Sequence, residues 1–103
     1  MRRYKVFIHG MNFLLPLDSV VRKLGFYTTR FITSANPEEA KVLAIESVLT
    51  HPDLLNSVVI DQQTPPIIDI EEVDEISLSD ASADTGLAFY VDEEFHWAEI
   101  RRS

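Results

Sequence analysis

The chain has 103 residues, 46% of them apolar, with no cysteine and a formal net charge of −8 from 17 acidic and 9 basic side chains. That length suits one globular domain, residues 1–103, burying roughly two-thirds of the surface its unfolded chain exposes. A charged fraction of 25% argues against disorder; no apolar run approaches the ~18 residues of a membrane span, and the missing cysteines exclude disulfide frameworks, thiol catalysis, zinc ribbons and iron–sulfur ligation.

Met1-Arg2-Arg3 begins with charge, but the residues after it alternate without a continuous apolar stretch or a small-residue cleavage site. This start reads as the first strand of a cytoplasmic protein. Tyr4, Val6 and Ile8 share one side, and Phe7, Met11 and Phe13 the other, with His9 interrupting the second series. Pro16-Leu17-Asp18-Ser19 breaks the pattern. After Gly25 the run Phe26 to Thr33 is rich in aromatic and β-branched residues, which predicts a second strand, antiparallel to the first across a wide connection.

Asn36-Pro37-Glu38-Glu39 predicts a helix start: Asn36 caps free amides, Pro37 suits the first helical position and Glu39 takes the capping-box position. Ala40, Leu43, Ala44, Ser47 and Val48 form its apolar face, widened by Ile45 and Leu49, and the helix ends before Pro52. A connector follows, with Val58-Val59-Ile60 as a short edge-strand candidate. The next strand begins at Ile67. Ile68 and Ile70 share a face, but Val73 and Ile76 come at intervals of three, so strict alternation would turn Glu72 and Asp74 inward. A bulge near Glu71-Glu72 or Asp74-Glu75 restores the register. Ser79 to Thr85 is small and polar and reads as a mobile loop. Gly86 to Val91 is a further strand with Phe89 and Tyr90 on opposite sides, and 92–100 suits a last strand or a short helix.

The order strand, strand, helix, strand, strand predicts an α+β fold in which one main helix covers one face of an antiparallel sheet. The other face keeps Phe7, Met11, Phe13 and some of Tyr27, Phe31, Tyr90 and Trp97, more apolar surface than a monomer usually shows. A second copy laid against that face is the economical expectation, with a dimer the simplest assembly.

Charge is polarised. Residues 1–51 carry seven basic and four acidic side chains, whereas residues 52–103 carry two basic and thirteen acidic ones. The two halves could meet within one sheet, meet between protomers, or leave the acidic half for a basic protein partner. An acidic chain with scattered basic residues is not expected to bind nucleic acid.

The motifs of catalysis are missing. There is no Gly-x-Ser-x-Gly elbow, and Gly10, Gly25 and Gly86 do not form a phosphate cradle. Asp69, Glu71, Glu72, Asp74 and Glu75 are dense in oxygen, but a strand splits them between two faces, and His9, His51 and His96 lack paired spacing. No metal, cofactor or catalytic residue is expected. Tyr27, Arg30, Phe89, Tyr90 and Trp97, with His9, are the candidates for an interface or for a pocket at an interface.

The stretches Tyr4 to Phe13, Gly25 to Phe31 and Asn36 to Ala40, with the Phe89-Tyr90 strand, resemble small bacterial proteins carried on mobile integron gene cassettes. That resemblance implies an α+β fold and homo-oligomers, some with pockets, and brings no catalytic residue. The hairpin followed by a capped Glu-Glu-Ala helix is also similar to the antitoxin half of bacterial toxin–antitoxin pairs, without their DNA-binding segment. The expected function is therefore a non-catalytic homo-oligomeric interaction module, and the alternative is a small-molecule-binding protein or enzyme with its pocket between subunits.

Overall fold

The structure, a computed structural model, describes residues 1–17, 20–55 and 65–92. Strands β1 (Arg2–Leu17) and β2 (Val20–Ser34) form a long antiparallel hairpin. Helices α1 (Pro37–Leu49) and α2 (Pro52–Leu55) follow, then β3 (Ile67–Ile76) and β4 (Ala88–Val91). The result is a small α+β fold with a four-stranded antiparallel sheet in the order β3-β1-β2-β4. Among the described residues no helix is long and apolar enough to cross a membrane.

The hairpin is longer than its sequence suggests. Leu17 pairs with Val20, so two residues connect the strands where a wide connection is expected, and Pro16 lies within β1 opposite Val21. Past Met11, where its pairing with β3 ends, β1 has β2 as its one neighbour among the described residues. A proline there removes no ladder bond on its free side.

One face of the sheet is covered by α1, and the core lies there: Tyr4, Val6, Ile8, Phe13, Leu15, Leu24 and Phe26 from the hairpin, Ala40, Ala44 and Val48 from α1, and Leu54 from α2. The opposite face is called the open face below. Phe13 is a core residue, not the open-face residue that alternation from Phe7 predicts. The register of β1 against β2 shifts by one residue between Gly10 and Phe13, and Asn12 within that shift has φ 62°. Asparagine tolerates this left-handed conformation better than most side chains, and the extra residue returns Phe13 to the core, where its ring lies 5.1 Å from that of Phe26. Phe26 in turn lies flat on Gly10, where a Cβ would overlap its ring.

A second bulge sits in β3. Phe7 pairs with Glu72 and Ile8 with Ile70, leaving Glu71 as the extra residue at one of the two expected places. Ile68, Ile70 and Val73 thereby all face the core, while Glu72 and Asp74 stay exposed beside Phe7 and Lys5 on the open face. Without a second bulge, Ile76 goes to the open face beside Arg3.

Helix α1 begins where expected. Asn36 Oδ1 accepts from the Glu39 N–H at 2.8 Å, with Pro37 in the first turn. Its buried stripe is narrower than the predicted face: Ala40, Ala44 and Val48 are fully buried, whereas Leu43 and Leu49 are exposed. Alanine at two of the three contact positions brings the helix close to the sheet. At about 100° per residue Leu49 then falls opposite Ala40. The turn α2, not expected from sequence, begins at Pro52 with the Asp53 N–H donating to His51 Nδ1 at 3.1 Å.

Residues 77–87 are tied down, in place of the expected mobile loop. They lie along β2 ahead of β4: the Asp84 carboxylate accepts from the Phe31 N–H at 2.7 Å, Thr85 Oγ1 accepts from the Thr29 N–H at 2.9 Å, and the Thr85 N–H donates to the Thr29 carbonyl at 3.0 Å. Arg3 donates to the Ser82 carbonyl and lies over the Phe31 ring. The expectations for 56–64 and for 93–103, including the edge strand at Val58-Val59-Ile60, the final element and Trp97, lie outside the described residues.

The Asn12 bulge makes a direct prediction. Asn12→Val, which places a β-branched residue in the left-handed region, lowers unfolding free energy by about 1–2 kcal/mol, while Asn12→Gly stays within about 1 kcal/mol of the parent. Urea titration of both variants checks this.

Candidate functional site

The register sets out the open face. Asp69, His9, Tyr27 and Ala88 lie abreast across the four strands, with Glu72, Phe7 and Thr29 on one side of that row and the Gly25–Tyr90 pair on the other. Tyr27 is the hub of an aromatic cluster. The His9 imidazole stacks on it at 4.3 Å and 12°, Phe7 lies parallel to it at 5.6 Å, and Tyr90 is tilted against it at 5.8 Å. Tyr90 reaches this position by lying over Gly25, where a Cβ would overlap its ring.

His9 is held from two sides. Its Nε2 meets the Tyr90 hydroxyl at 2.5 Å, and its Nδ1 is 3.5 Å from Glu71 Oε1. The imidazole is largely buried, with 15% of its side-chain surface exposed. Glu71 is the bulge residue of β3, and bulges commonly re-aim a side chain in this way. Burial, with smaller contributions from Tyr27 and Asp92, pushes the Tyr90 phenol above its ordinary value of 10.0. The phenol therefore stays protonated at neutral pH, and its hydroxyl and Nε2 share one hydrogen bond whose donor is set by the imidazole tautomer. A nucleophilic phenolate would need the opposite shift. The contacts hold the imidazole between a hydroxyl and a carboxylate.

Of the six sequence candidates, His9, Tyr27 and Tyr90 converge here. Arg30 and Phe89 do not. Arg30 pairs with Val6, so alternation carries it to the covered face, where 7% of its side chain is exposed and Nη1 lies 3.4 Å from Asp84 Oδ2. Phe89 pairs with Phe26 and packs edge-on against it at 5.7 Å, also on the covered face. Neither can line a pocket with Tyr27. Trp97 is outside the described residues. Phe7 and Glu71 were not among the candidates. The interval of three between Ile70 and Val73 is the signal that could have found Glu71, because it marks a bulge and bulges re-aim side chains.

Several charged groups find partners within the chain. Arg2 reaches Glu75 at 3.4 Å, and Asp80 is held below the ordinary carboxylate range, first by hydrogen bonds from Ser82 and then by the Arg3 and Lys5 charges. No group of three or more His, Asp or Glu side chains among the described residues is placed to hold a metal ion. Comparison with protein-family models, curated protein sequences and solved structures finds no match.

The raised Tyr90 phenol is testable. A raised folded-state value means that this group supports the fold below pH 10 and that the support is lost as pH climbs through the higher value. Ultraviolet titration of the parent minus Tyr90→Phe is expected to show one phenol ionising above 10. The variant is expected to lose less stability than the parent between about pH 10 and 12.

Proposed function

We propose that this protein is a non-catalytic interaction module that self-associates, most simply as a dimer, through the open face of its sheet. The observation that carries the reading is the aromatic cluster: Tyr27 and Tyr90 remain 40% and 38% exposed on a sheet face that neither α1 nor α2 covers. Two such faces packed against each other make an aligned sandwich about 10 Å thick, with the phenols meeting partner groups at its centre. The apolar and aromatic character of the contact makes the assembly persist when salt is added. Meeting of the basic and acidic halves across chains is less favoured, because Arg2–Glu75 and Arg30–Asp84 already join them within one chain.

In this reading the protein works in the cytoplasm, binds neither nucleic acid nor membrane, needs no cofactor, and belongs with the small integron-cassette proteins that its sequence resembles. Asp69, Glu72 and Asp74 at the margin of the face offer a surface to a basic protein partner. The second reading, a small-molecule site between subunits, is supported by one observation: the His9 contacts with Tyr90 and Glu71 place a donor and an acceptor in the face that a second copy would enclose.

Light scattering on a sizing column is the test. The parent is expected to run as a dimer at both low and moderate salt. Tyr27→Asp, which buries a charge at the centre of the contact, is expected to weaken the dimer by at least about 30-fold while the far-ultraviolet circular dichroism stays native. A parent that is monomeric at both salts overturns the proposal.

A further inference from the structure

His9 links the two edge strands across the open face: its Nδ1 lies 3.5 Å from Glu71 Oε1 on β3, and its Nε2 meets the Tyr90 hydroxyl on β4. Imidazole is the side chain whose charge changes between about pH 5 and 8. Protonated, it donates from both nitrogens. Nδ1–H then completes an ion pair with Glu71, Nε2–H is given to the Tyr90 oxygen, and the cation lies over the Tyr27 ring at 4.3 Å, within the range of a cation–π contact. The Tyr90 hydroxyl, now the acceptor, turns its own hydrogen away from the imidazole. The groups that face His9 from the other strands are anionic or neutral. From β3 come Asp69, opposite His9, then Glu71 and, opposite Phe7, Glu72; from β2 comes Tyr27; from β4 comes Tyr90, with Asp92 just beyond it. Along β1 itself, Lys5 stands on the same face opposite Asp74, with Arg3 further on.

We infer that protonation of His9 tightens the contact between two open faces, so that the dimer takes up protons as it forms, an inference that rests on the self-association proposed above. The sign of the effect follows from which groups still have water to lose. In the single chain the imidazole keeps 15% of its side-chain surface exposed, whereas Glu71 keeps 44%. A second copy closing over the face therefore costs the imidazole little further hydration, and the larger loss falls on the carboxylate. That loss is smaller beside an imidazolium than beside a neutral ring, because the attraction within the pair grows as water leaves. Repulsion acts in the same direction. Each chain has a formal net charge of −8 and exposes Asp69, Glu71 and Glu72 around this face, and a proton on each His9 lowers the like charge that two copies bring together. Mild acid, above the range in which ordinary carboxylates titrate, thus strengthens the assembly.

The test is sedimentation equilibrium of the parent at about pH 6, 7 and 8 and fixed ionic strength, a comparison that needs no variant to fold. The dimer Kd is expected to fall at least about fivefold from pH 8 to pH 6, with the circular dichroism unchanged. In His9→Gln, which keeps a polar side chain of fixed charge, the dimer is expected to persist and its Kd to change less than about twofold over the same range. Glu71→Gln, a substitution at an exposed position, removes the charge that the imidazolium answers; it is expected to tighten the dimer at pH 8 and to flatten the pH dependence. A parent Kd that is constant or rises toward pH 6 overturns the role of His9 and leaves the self-association standing. The parent's full pH dependence retained in His9→Gln or in Glu71→Gln does the same. A parent that is monomeric at all three pH values overturns both.

Discussion

Alternate side chains of a strand point to opposite faces, so a single inserted residue exchanges the faces for everything beyond it. Strand β1 and its neighbour β3 both use that device. In β1 the extra residue near Asn12 returns Phe13 and Leu15 to the core. In β3 the extra residue is Glu71; it brings Val73 into line with Ile68 and Ile70 and sends Glu72 and Asp74 out to solvent. Without the first bulge, Phe13 and Leu15 would be turned to the open face. Without the second, two carboxylates would be buried unpaired, at a cost of several kcal/mol each. The same two irregularities lie on either side of His9 in the sheet, so the register that builds the core also places Glu71 at the imidazole.

Charge is arranged by the same topology. The first half of the chain is basic and the second acidic, and the strand order β3-β1-β2-β4 sets an acidic strand against β1 and the acidic segment before β4 against β2. Exposed pairs such as Arg2–Glu75 contribute little each, about 0–1 kcal/mol. Their effect is on pairing more than on stability: β3 and residues 77–87 are drawn to opposite edges of a basic hairpin, and the connection between them is fastened at Ser82, Asp84 and Thr85. Arg2–Glu75 and Arg30–Asp84 join the two halves inside the fold, while Asp69, Glu72 and Asp74 stay exposed.

What was legible in the sequence follows from how local each signal is. The Asn36 cap lies within four residues, and the structure has it with its bond to Glu39. The interval of three between Ile70 and Val73 is local too, and the bulge stands at one of the two expected places. The bulge at Asn12 was not legible, because Phe7, Met11 and Phe13 alternate acceptably without it; the left-handed residue is chosen by the contact of Phe13 with Phe26, fourteen residues further along the chain than Asn12. The hairpin turn was missed for a similar reason: Pro16 reads as a breaker unless it is known that this part of β1 has no second neighbour. Arg30 and Phe89 share a candidate set with Tyr27 by residue type, whereas strand parity, which already sets Phe89 opposite Tyr90, sends each to the covered face.

Parity also separates the chemistry of the two faces. The open face carries a phenol held in its protonated form and an imidazole fixed between that phenol and a carboxylate, with Arg3 and Lys5 further along β1. The covered face carries a buried guanidinium whose Nη1 meets Asp84. Since the strands between them are shared, a substitution that disturbs the β1–β2 pairing at Val6–Arg30 or His9–Tyr27 is felt on both sides, whereas the side chains themselves can be removed one face at a time. That separability follows from the period of two, and it lets the open face be varied while the core on the covered face is kept.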